Sequence, residues 1–241
     1  MSILSPIGRL ATRFCSEEML GTIDYFRFPE RRSSWGGPFN GQPGRQALFR
    51  NIVAQAKPAA IIETGTFLGT STDFMAAFGL PVFSVEGQRR NFGYCRTRFR
   101  GRANINLLLG DSREGLKTLL DGPLKDRLAK TLLFYLDAHW HEDLPLAEEI
   151  EIIFARTDGA ICLVDDFAVP GDAGYVYDDY GPGKALDADY IAPLLRRFGL
   201  TAYYPTLRSA EEGGLKRGCV AIAKDSLHGE ALRAAGLRAD V

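Results

Sequence analysis

Short, continuous apolar runs recur along the chain at 59–63 (AAIIE), 81–86 (PVFSVE), 105–111 (INLLLGD), 131–137 (TLLFYLD) and 160–166 (AICLVDD). A strand with one face in water alternates apolar and polar residues, whereas a strand covered on both faces reads as an unbroken apolar run. These five runs are therefore expected to be central strands of a sheet with helices on both sides. The segments between them carry helical spacing. In LPLAEEIEIIFAR, Pro145 suits a first turn, Leu146, Ile150, Ile153 and Phe154 share one face, and Glu148, Glu149 and Glu151 are expected to point outward. In RRNFGYCRTRFRGR, Phe92, Cys95 and Phe99 form an inward stripe, with Arg89, Arg90, Arg96, Arg98 and Arg100 spread around a solvated helix. Strands alternating with helices predict a parallel sheet. After a long connection at 167–185 and a helix near 187–198, LTAYYPTL and RGCVAIAK are joined by RSAEEGGLK without a helix, which predicts an antiparallel hairpin. The expected fold is α/β: a doubly wound, mostly parallel, seven-stranded, Rossmann-like sheet that ends in that hairpin.

Each of the five runs ends in an acid. In open α/β sheets a ligand lies beyond the carboxyl ends of the strands, near the point where strand order reverses, so these acids are expected to converge on one crevice. Any single one of them is equally well explained as a cap for the following helix. Five in succession argue for a site.

Composition narrows the picture. At 241 residues with 46% apolar content, one domain is expected: a helical and loop segment (1–57) packed on a core (58–225), then a tail (226–241). A net charge of -1 leaves no basic excess for a nucleic-acid partner. Cys15, Cys95, Cys162 and Cys219 form no C-x-x-C pair, which speaks against a disulfide framework or a zinc knuckle and for reduced thiols in the cytoplasm. No apolar run approaches the roughly 20 residues that cross a bilayer, so no membrane partner is expected. The expected partner is a small molecule, with a homo-oligomer left open.

The first strand and its turn read IIETGTFLGTST (61–72). Gly65 and Gly69 let the backbone approach a ligand closely, and Thr70, Ser71 or Thr72 can begin a helix whose free N–H groups face the crevice. Glu86, at the end of the second run, suits the two hydroxyls of a ribose. The third glycine of a dinucleotide fingerprint is missing, which together with the hairpin counts against a nicotinamide-dependent oxidoreductase. A non-catalytic protein that keeps the fold is a further alternative, against which the retained acids count.

Glu63-Thr64-Gly65 with Gly69 resembles motif I of the class I S-adenosylmethionine-dependent methyltransferases, a resemblance that spans about residues 58 to 224. It implies that Glu63, Gly65, Thr66, Gly69 and Ser71 hold the methionine end of the cofactor and Glu86 its ribose. It likewise implies that Asp111 and Ser112, in the GDS turn, fall near its adenine and that Asp137 is the remaining cofactor-binding residue.

Within that class, LDAHW followed by LVDDF resembles the metal-dependent branch of macrocin and aminocoumarin sugar O-methyltransferases. The resemblance implies a divalent cation, magnesium with manganese or calcium as alternatives, held by Asp137, Asp165 and Asp166. By the same resemblance, that cation is expected to bind the acceptor hydroxyl of a small glycoside or natural-product-like molecule. Three carboxylates about 4 Å apart repel by roughly 4 kcal/mol per pair at an effective dielectric of 20, so a cation or trapped protons must accompany them. One position departs from the branch. Where an acid is usual two residues after the first ligand, this chain has His139, expected to act with Asp137 in catalysis as a general base, or to join the metal and favour manganese or iron. Strand alternation places Asp137 and His139 toward the crevice and Ala138 away from it.

Three further stretches flank the presumed site. His141 is expected at the surface. WGGPFNGQPGRQALF (35–49) is expected to be a surface turn, with Asn40, Gln42 and Arg45 the residues able to close over a ligand. The connection at 167–185, carrying Tyr175, Tyr177, Asp178 and Tyr180, is longer than most and is expected to be a substrate lid.

Overall fold

Ile61 and Ile62 are adjacent in sequence, lie on opposite faces of one sheet, and are both fully buried. The computed structural model describes residues 15–139 and 143–239, so His141 lies outside the described residues. All five apolar runs form strands: β1 (Ile61–Thr64), β2 (Val82–Glu86), β3 (Ile105–Leu109), β4 (Leu132–Leu136) and β5 (Ala160–Asp165). They pair in parallel, and the last two runs form the antiparallel strands β6 (Thr201–Pro205) and β7 (Cys219–Ala223).

Among the described residues the sheet has eight strands in the order β3-β2-β1-β4-β5-β7-β6, then β8 (Leu237–Ala239). This is one more than the seven expected. The segment read as a tail supplies a helix, Asp225–Ala234, and then β8, which pairs antiparallel with β6 through Tyr204 and Arg238. A strand of three residues is too short to show a period.

Helices cover both faces. On one side α2 (Pro43–Ala56) and α3 (Thr70–Ala76) bury Phe49, Ile52 and Met75 against Ile61, Leu133, Tyr135 and Leu163. On the other, α5 (Ser112–Asp121), α6 (Leu146–Phe154) and α7 (Ala188–Phe198) bury Leu116, Ile150, Ile153 and Ile191 against Ile62, Phe134, Leu136 and Val164. Local chemistry starts these helices where they begin. Asp111 accepts the Arg113 N–H at 2.9 Å at the head of α5, and Asp187 accepts that of Tyr190 at 3.0 Å at the head of α7. The cap of α2 is tertiary: Glu212, from the hairpin loop, accepts the N–H groups of Gly44 and Arg45 at 2.9 and 3.0 Å.

An N-terminal helix, α1 (Glu17–Arg27), lies across α4 (Arg89–Arg98). Contact is close because a Cβ on Gly21 would stand 1.9 Å from the Arg90 carbonyl oxygen. Glu18 and Asp24 of α1 pair with Arg89, Arg96 and Arg90, so these arginines sit beside acids. None of the helices in the described residues is long and apolar enough to cross a membrane.

Strand order reverses at β1. The chain runs outward from β1 to β2 and β3, then returns to place β4 on the other side of β1. The crevice between the carboxyl ends of β1 and β4 is therefore the expected ligand position, and it lies between Gly65 and Asp137.

Candidate functional site

Gly65 leaves β1 with φ +86°, and a Cβ there would stand 2.2 Å from the backbone oxygen of Asp137. Only glycine allows the two chain segments to approach this closely while turning left-handed. The crevice opens into a cavity of about 480 Å³ lined by Gly65, Glu86, Asp111, Ser112, Asp137, His139 and Asp166, among others. This lies within the usual range of small-molecule sites. Ala138, expected to face away, also lines it, because β4 ends at Leu136 and strict alternation ends with it.

At one end of the cavity, Glu86 accepts the N–H groups of Phe67 and Gln88, both at 2.7 Å, which orients its carboxylate. Burial raises its pKa in spite of those bonds. Asp111 is drawn down by Arg113, which also reaches Asp143 and Glu148.

Glu63, Thr66, Gly69 and Ser71 are placed behind or beside the cavity lining. Glu63 is buried and accepts the hydroxyls of Thr72 and Ser84, both at 2.5 Å. Thr66 bonds to Ser84, Gly69 leads into α3, and Ser71 accepts the Phe39 N–H. Burial pushes Glu63 from 4.5 up to about 8, although Ser84 and Thr72 lower it. A carboxyl whose folded pKa is raised contributes stability at low pH that is lost as pH rises from the unfolded value through the folded one. Between about pH 7 and about pH 9 the wild type is therefore expected to lose about 1 kcal/mol relative to Glu63→Gln. Urea unfolding of both proteins across that range measures it, and parallel profiles would contradict a protonated Glu63.

At the other end, the acids divide. Asp165 was expected among the metal ligands and is not brought there. Its side chain is 1% exposed, with one oxygen taken by the Arg45 guanidinium and the other by the Tyr135 hydroxyl at 2.5 Å. Asp166 reaches the crevice instead, on a backbone held at φ +54°, a conformation that non-glycine residues rarely adopt and that recurs at functional sites. Asp137, His139 and Asp166 can each offer one ligand atom, all within 4.8 Å of one another. The buried His139 Nε2 has no hydrogen-bond partner and lies 3.8 Å from oxygens of Asp137, Asp166 and Asp178, beyond hydrogen-bond reach.

The charges are unevenly shared. Burial, together with Asp165 and Asp166, raises Asp137 well above the usual carboxylate range. Asp166 stays ionised: burial opposes it, but His139 and Arg217 bring its pKa down to about 2.

Arg217 lines the cavity but carried no functional assignment from the sequence. Arg217 donates to Asp166 at 2.6 Å and to Asp178, which ties the segment before β7 to the connection after β5. Glu149, expected to face outward, is 1% exposed with an unpartnered oxygen. Burial raises its pKa, while Ser112, Thr64 and His139 lower it. The stretch at 35–49 is more than a surface turn. Gln42 and Arg45 are buried, Gln42 exchanges two hydrogen bonds with the backbone of Arg217, and Trp35 and Asn40 line the cavity.

No protein-family model and no curated protein sequence matches the chain. Solved structures do. A putative O-methyltransferase from Klebsiella pneumoniae is similar at a TM-score of 0.52 and 16% identity, over 89% of this chain and 94% of that one. The O-methyltransferase TomG from Streptomyces achromogenes, in complex with S-adenosylmethionine, has a TM-score of 0.47 and 18% identity, over 74% of this chain and 79% of that one. The glycopeptide N-methyltransferase MtfA, complexed with sinefungin, has a TM-score of 0.47 and 15% identity, over 74% and 93%. At these identities the likeness is one of architecture: the chain has the Rossmann-like α/β fold of the methyltransferases, with a mostly parallel sheet and a terminal antiparallel hairpin.

Proposed function

We propose that this protein is an S-adenosylmethionine-dependent methyltransferase that methylates a hydroxyl oxygen of a small, glycoside-like acceptor with the help of a divalent cation. The observation that carries the reading is the single cavity at the switch point. It brings Glu86 and Asp111 together with Asp137, His139 and Asp166, and Gly65 lies between the two groups, against the Asp137 backbone. The first group suits a nucleoside with an attached amino acid: Glu86 is held with its carboxylate lining the cavity, where it can accept ribose hydroxyls, and Gly65 lines the cavity with no side chain to obstruct it. Glu63 acts from beneath by holding α3 and β2 to the motif through Thr72 and Ser84.

The second group suits a cation. The orphaned His139 Nε2 among carboxylate oxygens is a donor set without an acceptor, so Asp137, Asp166 and His139 fit as its holders. A divalent cation supplies Lewis acidity there, lowering the pKa of an acceptor hydroxyl. The remaining tasks are the protein's. Methyl transfer needs the acceptor oxygen aligned with the sulfonium and relieved of its proton. Asp137 is the group placed to take that proton, because its side chain is 34% exposed and lines the cavity, whereas that of His139 is 3% exposed.

Calorimetric titration with S-adenosylhomocysteine and with NAD tests the reading. The expected result is micromolar binding of S-adenosylhomocysteine, a matching rise in melting temperature by mass action, and no binding of NAD. Binding of NAD alone would reverse the assignment in favour of an oxidoreductase.

A further inference from the structure

We propose that Asp178, carried by the long connection after β5, is a fourth ligand of the cation site formed by Asp137, His139 and Asp166, and that Arg217 positions it. The inference rests on the methyltransferase reading only for the purpose of the site; the ligand set stands on geometry.

His139 Nε2 is 3.8 Å from Asp137 Oδ1, from Asp166 Oδ2 and from Asp178 Oδ2. Donors bound at about 2.1 Å around an octahedral ion are about 3.0 Å apart in cis and about 4.2 Å apart in trans, so each separation from His139 falls in the range an ion imposes. Asp178 lies just outside the group of Asp137, His139 and Asp166, whose ligand atoms are all within 4.8 Å of one another, and moves in to complete it when the ion binds. The nitrogen is unpartnered and its side chain 3% exposed, so it points into this group and nowhere else.

Asp166 and Asp178 divide their oxygens in the same way. Each gives Oδ1 to Arg217, through Nε and Nη2 respectively, and each turns Oδ2 toward His139. Arg217 therefore stands behind the two carboxylates, where it orients them without occupying the point they face. The Asp178 N–H donates to the Asp166 carbonyl at 2.9 Å, and the Tyr180 hydroxyl donates to Asp178 Oδ2, so the loop acid is fixed from three sides. Asp165 does not substitute for it, since Arg45 and Tyr135 hold its carboxylate outside the cavity lining, whereas Asp178 is part of that lining.

The charges also balance. With Asp137 ionised by the bound cation, three carboxylates and one guanidinium leave two negative charges, which a divalent cation neutralises. An imidazole among oxygen donors favours manganese, iron or cobalt over magnesium or calcium. A cation bound there joins the ends of β4 and β5 to the connection that carries Asp178, so loading it seats that segment at the rim of the cavity.

The test is Mn²⁺ titration of the full chain, by calorimetry and electron paramagnetic resonance, with S-adenosylhomocysteine affinity measured on the same samples. Asp178→Asn is expected to weaken Mn²⁺ binding by about tenfold or more, and neighbouring Asp179→Asn by less than about threefold. Arg217→Gln is expected to weaken it by about 10–100-fold, with partial recovery in Arg217→Lys. Nitrogen coupling to the bound Mn²⁺ should vanish in His139→Gln. Wild-type protein that binds no Mn²⁺, or equal affinity in the Asp178 and Asp179 variants, overturns the proposal. Absence of S-adenosylhomocysteine binding instead overturns the methyltransferase reading and leaves the Mn²⁺ result standing.

Discussion

Arg45→Met is expected to lower the free energy of unfolding by about 3–5 kcal/mol, the usual cost of removing one partner from a buried ion pair. Arg45 and Asp165 have side chains 2% and 1% exposed, so the carboxylate left behind would have neither water nor a counter-charge and would keep only the Tyr135 hydroxyl. The guanidinium also donates to the Arg217 carbonyl at 2.6 Å, so its loss loosens the segment that positions Asp166. The double variant Arg45→Met with Asp165→Leu should recover most of the loss, because an apolar pair of similar volume has no charge to desolvate. Urea unfolding at fixed pH measures both. A single variant within about 1 kcal/mol of wild type would mean that water reaches this pair.

Asp137→Asn should separate activity from stability. Turnover is expected to fall by roughly 10²–10⁴ because the group placed to take the acceptor proton is gone. Affinity for S-adenosylhomocysteine should stay within a few fold, since Gly65, Glu86 and Asp111 are untouched. Stability should rise. Asp137 has its pKa raised by burial and by Asp165 and Asp166, so its folded-state penalty grows as pH climbs above the unfolded carboxyl value. The neutral amide carries no such penalty, and without added metal the variant should melt higher than wild type at alkaline pH and equally at acid pH. Single-turnover kinetics and melting curves on the same samples check the two halves, and unchanged turnover would remove Asp137 from the chemistry.

Helix α6 shows how far a one-dimensional pattern reaches. Leu146, Ile150, Ile153 and Phe154 are all buried, as their spacing predicts. Glu149 lies one turn from both Leu146 and Ile153, so the same spacing places it on the inward stripe, and only its being an acid pointed outward. Burial won because α6 lies over the end of the crevice, beside Ser112 and Thr64, which no local pattern reveals.

What the amino-acid sequence determined by itself was the seven strands and intervening helices of the core, not β8 or the helix before it, and the end of the sheet where acids gather. Unbroken apolar runs, helical stripes and a helix-free hairpin depend on residues within one element, and backbone hydrogen bonding allows few alternatives. Only tertiary structure decided which acid does what. Asp165 and Asp166 are adjacent and chemically identical, yet one is sequestered by Arg45, 120 positions away, and the other is turned into the cavity by a left-handed backbone. Arg217 and Asp178 had no motif around them, because what places them at the site is each other, across 39 residues of chain. A carboxylate takes its role from the nearest cation and from how much water it retains, and both are properties of packed neighbours.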